Sequence, residues 1–260
     1  MSKQEVKTVG ETANLPVEGA INLPATLDFA GDFGSGFEEA DASCYTIPFL
    51  KQLQATSDQT QRQNAEYIKG AESGDFLNTV TERLYKADVG VHIIPCYFIH
   101  KYNEWVPNRG GFKGSHSIAE YTEMQKVMKL DAKGNPFEAR ADNGNQLTDA
   151  REHYVMIIEE DGTTTPAVLS FDGSQLKKSR KWMTLMQGIK IGNNTAPMFS
   201  QTYRITAVPE SNDQGNWYGV KIEHAGQITN AEMYQQAKAF RDLIKAGSVK
   251  LAMPEDDQTM

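Results

Sequence analysis

After about residue 45 the chain reads mostly as short stretches in which apolar residues run together or alternate with polar ones, and it shifts to helical spacing in three places. A strand begins within residues 47–54, and a second, over 75–79, follows a turn signal at Gly74. Residues 91–99 form the strongest strand, with Pro95 marking a sheet edge or a bulge. Residues 101–106 alternate polar and apolar positions ahead of a turn over 108–111. Strand patterns return at 152–158, 167–171, 199–208 and 217–223, with Asp161-Gly162 and Gln214-Gly215 as hairpin turns. Helical spacing is expected near 118–130, followed by a mobile loop to about residue 150. It is expected again over 173–189, with Leu176, Ser179, Met183 and Met186 on one stripe, and over 231–246, with Met233, Ala237, Phe240 and Ile244 on another and Gly247 as its stop. No internal repeat is visible. The class this defines is β-rich α+β.

Charge changes the picture at the ends. Residues 1–45 hold two lysines against eight acids, a net of −6, and the last eleven residues add −2. The whole chain is −8, so residues 46–249 are balanced and the acidity says nothing against a nucleic-acid partner for the domain itself. Residues 1–42, with prolines, glycines, acids and scattered apolar residues, are expected to be a flexible leader. Only two cysteines, Cys44 and Cys96, are present and no secretory or membrane-spanning pattern appears, so reduced cytoplasm is the expected compartment.

The densest chemical signal is basic. Lys177, Lys178, Arg180 and Lys181 crowd one turn of the second helix beside Trp182, and no Asp or Glu occurs between Asp172 and Glu210. Such a field suits a polyanion, although a solvated helix face would carry the same run. Aromatic and basic residues also interleave on strands: Lys101, Tyr102, Trp105, Arg109, Phe112 and Lys113, then Tyr203, Arg204, Trp217 and Lys221. Single-stranded bases stack on such rings while neighbouring cations hold the backbone; the alternative is that part of the set is core. Enzyme signatures are poor. The five histidines are scattered, with neither ligand spacing nor a nucleophile or phosphate-loop motif, so no catalytic residue, metal or cofactor is expected. The adjacent acids Glu159, Glu160 and Asp161 leave a metal-dependent nuclease as a third reading.

Residues 47–54 (IPFLKQLQ), 74–79 (GDFLNT), 94–98 (IPCYF) with 105–107 (WVP) and 110–112 (GGF), and later 166–169 (PAVL) with 177–182 resemble a bacteriophage family of replication-region proteins, over most of residues 45–225. Some of its members are known as single-stranded DNA-binding proteins. The resemblance implies a five-stranded OB-like antiparallel barrel with a helical insertion and a C-terminal helix. The expected parts are a leader (1–42), the barrel domain (45–225), a closing helix (226–250) and an acidic tail (251–260). It further implies that Glu255, Asp256 and Asp257 recruit phage or host replication proteins, although this tail ends in Met260 instead of the aromatic residue that closes the best-known phage tails. The function expected is sequence-independent binding of single-stranded DNA. The rival is a phage structural or host-directed interaction protein using the same aromatics at a protein interface.

Overall fold

The computed structural model describes residues 31, 35–40, 44–107, 111–126, 144–213, 215–247 and 250–251. The chain divides into two units, Met1–Ala40 and Asp41–Met260. In the first, the described residues form a turn in which the Ala40 N–H donates to the Phe37 carbonyl at 3.0 Å.

The second unit runs β1 (Thr46–Ile47), β2 (Leu50–Gln52), β3 (Phe76–Asn78), β4 (Leu84–Tyr85), β5 (Val91–Val106) and β6 (Gly111–Ser117), then α1 (Ile118–Gln125). It continues with β7 (Gln146–Ile158), β8 (Thr164–Phe171), α2 (Leu176–Gly188), β9 (Lys190–Ile191) and β10 (Asn194–Thr195). The last elements are β11 (Gln201–Asn212), β12 (Gly215–Gln227), α3 (Ala231–Lys245) and β13 (Lys250–Leu251).

Alternation along the sequence becomes an antiparallel sheet in the order β12-β11-β5-β7-β8. The long β5 shares one edge between two partners, β11 at Val91–Ile93 and β6 from Lys101 onward, while β7 follows it along the other edge. Pro95 brings a register shift between Pro95 and Tyr97: lacking an N–H, it sits at a bulge inside the sheet. Period-two burial gives the sheet two apolar faces. Ile93, Val155, Ile157, Leu169, Phe171, Tyr203, Ile205 and Val220 pack with Trp182 and Met186 of α2 and with Leu50 and Phe76 of the β2-β3-β4 sheet. On the opposite face Ile94, Cys96, Tyr154, Met156 and Val168 pack with Ala237, Phe240 and Ile244 of α3.

The helices start where their caps dictate. Ser117 and Glu120 form a reciprocal capping box at α1, and Asn230 accepts from the Glu232 and Met233 N–H groups at α3. α1 stops at Gln125, short of the expected residue 130; of the loop expected from there to about residue 150, residues 131–143 lie outside the described residues, as do the acids at 255–257, while residues 146–150 already belong to β7. One pairing crosses the expected domain boundaries: β13, past the closing helix, lies parallel to β1 at the other end of the unit.

The sheet does not close into a barrel among the described residues; β8 and β12 remain its edges. The segment entering β2 spans them. Phe49 bridges to Val168 of β8, and at β12 side chains take over from a strand. Gln54 donates to the Tyr218 carbonyl at 3.0 Å and accepts from its N–H at 2.8 Å, Gln52 donates to the Gly219 carbonyl at 3.2 Å, and Gln175 accepts from the Val220 N–H at 3.3 Å. Three glutamines thereby satisfy main-chain groups that an open edge would offer to another chain.

The start of β5 depends on one glycine. Gly90 holds φ at +73°, and a Cβ there would lie 2.2 Å from the Ile205 carbonyl oxygen, against main chain that has little room to yield. Gly90→Ala is expected to destabilise the domain by roughly 2–4 kcal/mol, combining left-handed strain with displacement of β11 from β5. Urea unfolding checks this, and a loss below about 0.5 kcal/mol would show that the approach is not tight.

Candidate nucleic-acid interface

Helical spacing decides which α2 side chains are free. Ser179, Trp182 and Met186 turn into the core, which leaves Lys177, Arg180 and Lys181 exposed, and none of these three has an acid partner among the described residues. Lys178, Lys181 and Leu185, at spacings of three and four, line the flank that faces β12. There, with Trp182, Val220, Lys221 and Ile222, they enclose a cleft of about 170 Å³. Its floor is apolar and its rim carries three lysines, a surface that can hold a flat apolar group against the floor and an anion at the rim.

The acid-free window of the sequence is not acid-free in space. The β11–β12 hairpin pairs Glu210 with Trp217 and lays the Glu210 carboxylate over Gly219, where a Cβ would meet it at 2.5 Å. That carboxylate takes an ion pair from Lys178 and hydrogen bonds from Trp217 Nε1 at 3.0 Å and Gln175 Nε2 at 3.3 Å. Burial alone would raise its pKa, but Lys178 and the other two donors outweigh that and hold it below the usual carboxylate value. Lys221 pairs with Glu223 at 2.8 Å on the surface.

The strand residues are brought together in part. Lys101 turns to the buried Glu152, 2.6 Å away, and is committed to that ion pair. Tyr102 stacks on Tyr121 of α1 at 3.4 Å between ring centres, so its face is covered. Trp105 packs against the edge of Phe112 at 5.4 Å, both rings half-buried, and Lys113 beside them is exposed. Arg204 donates to the Asp88 and Val89 carbonyls and ties β11 to the turn before β5. Arg109 lies outside the described residues.

Two of the aromatics named from the sequence belong to the core. Trp182 and Tyr203 are each 1 % exposed and meet edge to face at 5.5 Å, so neither ring is open to a base. Burial pushes the Tyr203 hydroxyl up to about 12. Trp182 also stacks on His153 at 4.5 Å, and His153 Nε2 lies 2.9 Å from Ser179 Oγ. The interior position of Trp182 follows from its place three residues after Ser179 and four before Met186. Conversely, Leu185, Val220 and Ile222, which the aromatic and basic pattern does not single out, line the cleft. Their signals are the spacing 178/181/185 and the alternation 220/222.

The acids that suggested a nuclease are engaged separately: Glu159 pairs with Arg83 at 3.0 Å, and Asp161 accepts from Thr163. Among the described residues no three His, Cys, Asp or Glu side chains converge as a metal site would require, and no helix is long and apolar enough to cross a membrane.

The fold and this cleft define a β-rich α+β protein, antiparallel in its main sheet, with a lysine-rimmed groove between a helix and an edge strand. A family model for the Pam3 phage gp34-like protein matches residues 16–250, and the chain belongs to that bacteriophage family. No curated protein and no solved structure matches it.

Proposed function

We propose that this phage protein binds single-stranded DNA without sequence preference, in replication or recombination, and carries out no catalysis. The observation that supports it most is the α2–β12 cleft, an apolar floor rimmed by Lys178, Lys181 and Lys221, with Lys177 and Arg180 beside it and without an acid partner among the described residues. Strand order supports an OB-like reading too. A three-strand meander (β5, β7, β8), a helix (α2) and a hairpin (β11, β12) that returns to the first strand follow an order compatible with a partly open five-stranded Greek-key barrel. In that reading the tail acids Glu255, Asp256 and Asp257 dock on replication proteins.

The test is binding of labelled single- and double-stranded oligonucleotides across a salt titration. Lys177→Ala/Arg180→Ala/Lys181→Ala is expected to weaken single-strand binding and to make the dependence of log K on log salt shallower by about 2, at roughly 0.7 per phosphate contact. An unchanged slope removes α2 from the site. A protein-interface reading has its own observation: Leu185 is 47 % exposed beside the cleft, and Ile191 of β9 is 49 % exposed. Failure to retard any oligonucleotide at low salt would favour that reading.

A further inference from the structure

The stretch from Leu53 to Asp75 is over twenty residues without strand or α-helix, yet it is built, not slack. Leu53, Ala71 and Leu77 bury beneath it with Ile68 and Leu84 as a small core of its own. Its polar groups are spent on its own shape. Thr60 Oγ1 donates to the Ser57 carbonyl at 2.7 Å, Asn64 Nδ2 to Asp58 Oδ1 at 2.7 Å, Gln59 Nε2 to Glu66 Oε2 at 2.8 Å, and the Ile68 N–H to the Gln59 carbonyl at 3.1 Å. Asp75 anchors the far end through Lys86 Nζ at 2.8 Å and the Ala87 N–H at 3.0 Å.

The loop encloses an open concavity of about 900 Å³ whose lining includes Thr60, Arg62, Tyr67, Lys69, Glu72 and Ser73. Asp58 and Glu66 are engaged inside the loop, whereas Arg62 and Lys69 are exposed and have no acid partner among the described residues. The half-buried Tyr67 ring lies between them in sequence. Two exposed cations without an acid partner among the described residues and a half-buried aromatic ring, lining one preorganised bowl, match the chemistry of a nucleotide, its base against the ring and its phosphate on Arg62 and Lys69. Glu72 shares the rim with these two cations, and Asp58 and Glu66 keep their charges behind it on the neutral amides of Asn64 and Gln59, so a phosphate is held here by direct contact with Arg62 and Lys69 and not by a general positive field.

The bowl also lies beside the cleft already described. Its wall residues Ala55 and Ser73 adjoin Gln54 and Gly74, and these hold Tyr218: Gln54 by two hydrogen bonds, Gly74 with its Cα beneath the Tyr218 ring. The cleft begins at Val220 of the same strand and reaches Ile222. Ile222 lies four residue steps along the strand from Tyr218, about 14 Å at the usual rise.

Building on the single-strand reading, we infer that the 55–73 bowl is a second nucleotide-holding site, and that one DNA strand occupies the α2–β12 cleft and this bowl together along the flank of β12. The test uses the full chain and oligo-dT of 4 and 16 nucleotides, the limits of about 4–16 per such fold. Arg62→Ala/Lys69→Ala is expected to bind dT16 at least tenfold more weakly, with a salt slope shallower by about 1.4, while dT4, seated in the cleft, changes less than twofold. Tyr67→Leu should weaken dT16 without altering the salt slope. Both sets leave exposed or half-buried positions changed, and an unaltered melting temperature confirms folding. The inference is overturned if dT16 affinity and slope stay as in the wild type while the α2 triple variant still weakens binding, an outcome that leaves the proposed function standing. It is overturned differently if dTMP alone saturates the bowl at concentrations where dT16 does not compete, which makes it a pocket for free nucleotides. If the wild-type protein binds no oligonucleotide at all, the proposed function and this inference fall together.

Discussion

Replacing Trp182 with alanine lowers the unfolding free energy by about 3–5 kcal/mol, the cost of emptying a large buried aromatic site. The ring is 1 % exposed and touches His153, Phe171 and Tyr203, so its loss strips contacts from α2, from β7 and β8, and from β11 together. Single-strand binding by the folded fraction should then fall only through displacement of α2. Trp217 offers the contrast. Its ring is half-buried and its Nε1 donates to Glu210, so Trp217→Ala should cost about 1 kcal/mol of stability through that hydrogen bond. If the ring also stacks on a base, the affinity for oligo-dT drops by roughly 1–3 kcal/mol. Urea unfolding and oligo-dT titration on both variants separate the two roles. A Trp182→Ala protein with nearly wild-type stability but no DNA binding would put that ring at the interface instead of in the core.

What the sequence revealed was local. Periodicity placed the main strands and all three helices, because alternation over residues 152–158 or a stripe such as Ala237, Phe240 and Ile244 depends only on neighbours a few positions away. Pro95 carried its own meaning, since a residue without an N–H has few places in a sheet. Partnerships across long separations were not visible. Lys101 reads as one more cation on a strand until β5 is set beside β7 and Glu152 arrives two strand positions from Tyr154. The basic run of α2 reads as unopposed until the β11–β12 hairpin folds Glu210 back onto Lys178. The pairing of β13 with β1 and the contacts of Gln52 and Gln54 with β12 join residues more than 100 positions apart, and nothing in a glutamine's neighbours says whose backbone it will meet. Of the candidate site, the cations of α2 were therefore legible and the floor they stand on was not. A cleft floor is made where a helix flank meets a strand, and each contributes only two or three residues.

The same buried cluster makes the fold sensitive to acid, with His153 as the group responsible. His153 is wholly buried on β7 among Trp182, Phe171, Phe98 and Ser179, and its Nδ1 has no hydrogen-bond partner among the described residues. Burial, assisted by the nearby Arg151 charge, lowers its pKa from 6.5 to about 3. The unfolded chain takes up this proton below about pH 6.5 while the folded chain refuses it until about pH 3, so stability is fully present above the first value and is lost as pH falls toward the second. The slope over that window is about 1.4 kcal/mol per pH unit, which integrates to about 2 kcal/mol between pH 7 and pH 5. Carboxylates add their own acid sensitivity, chiefly lower in the range, and they do so equally in a variant. His153→Gln keeps an amide that can donate to Ser179 Oγ but binds no proton. Urea unfolding of both proteins at pH 7 and pH 5 should therefore show the wild type losing about 2 kcal/mol more than the variant. Equal losses would mean that the imidazole is hydrated or accepts its proton inside the folded protein, and that the core around Trp182 is looser than its contacts indicate.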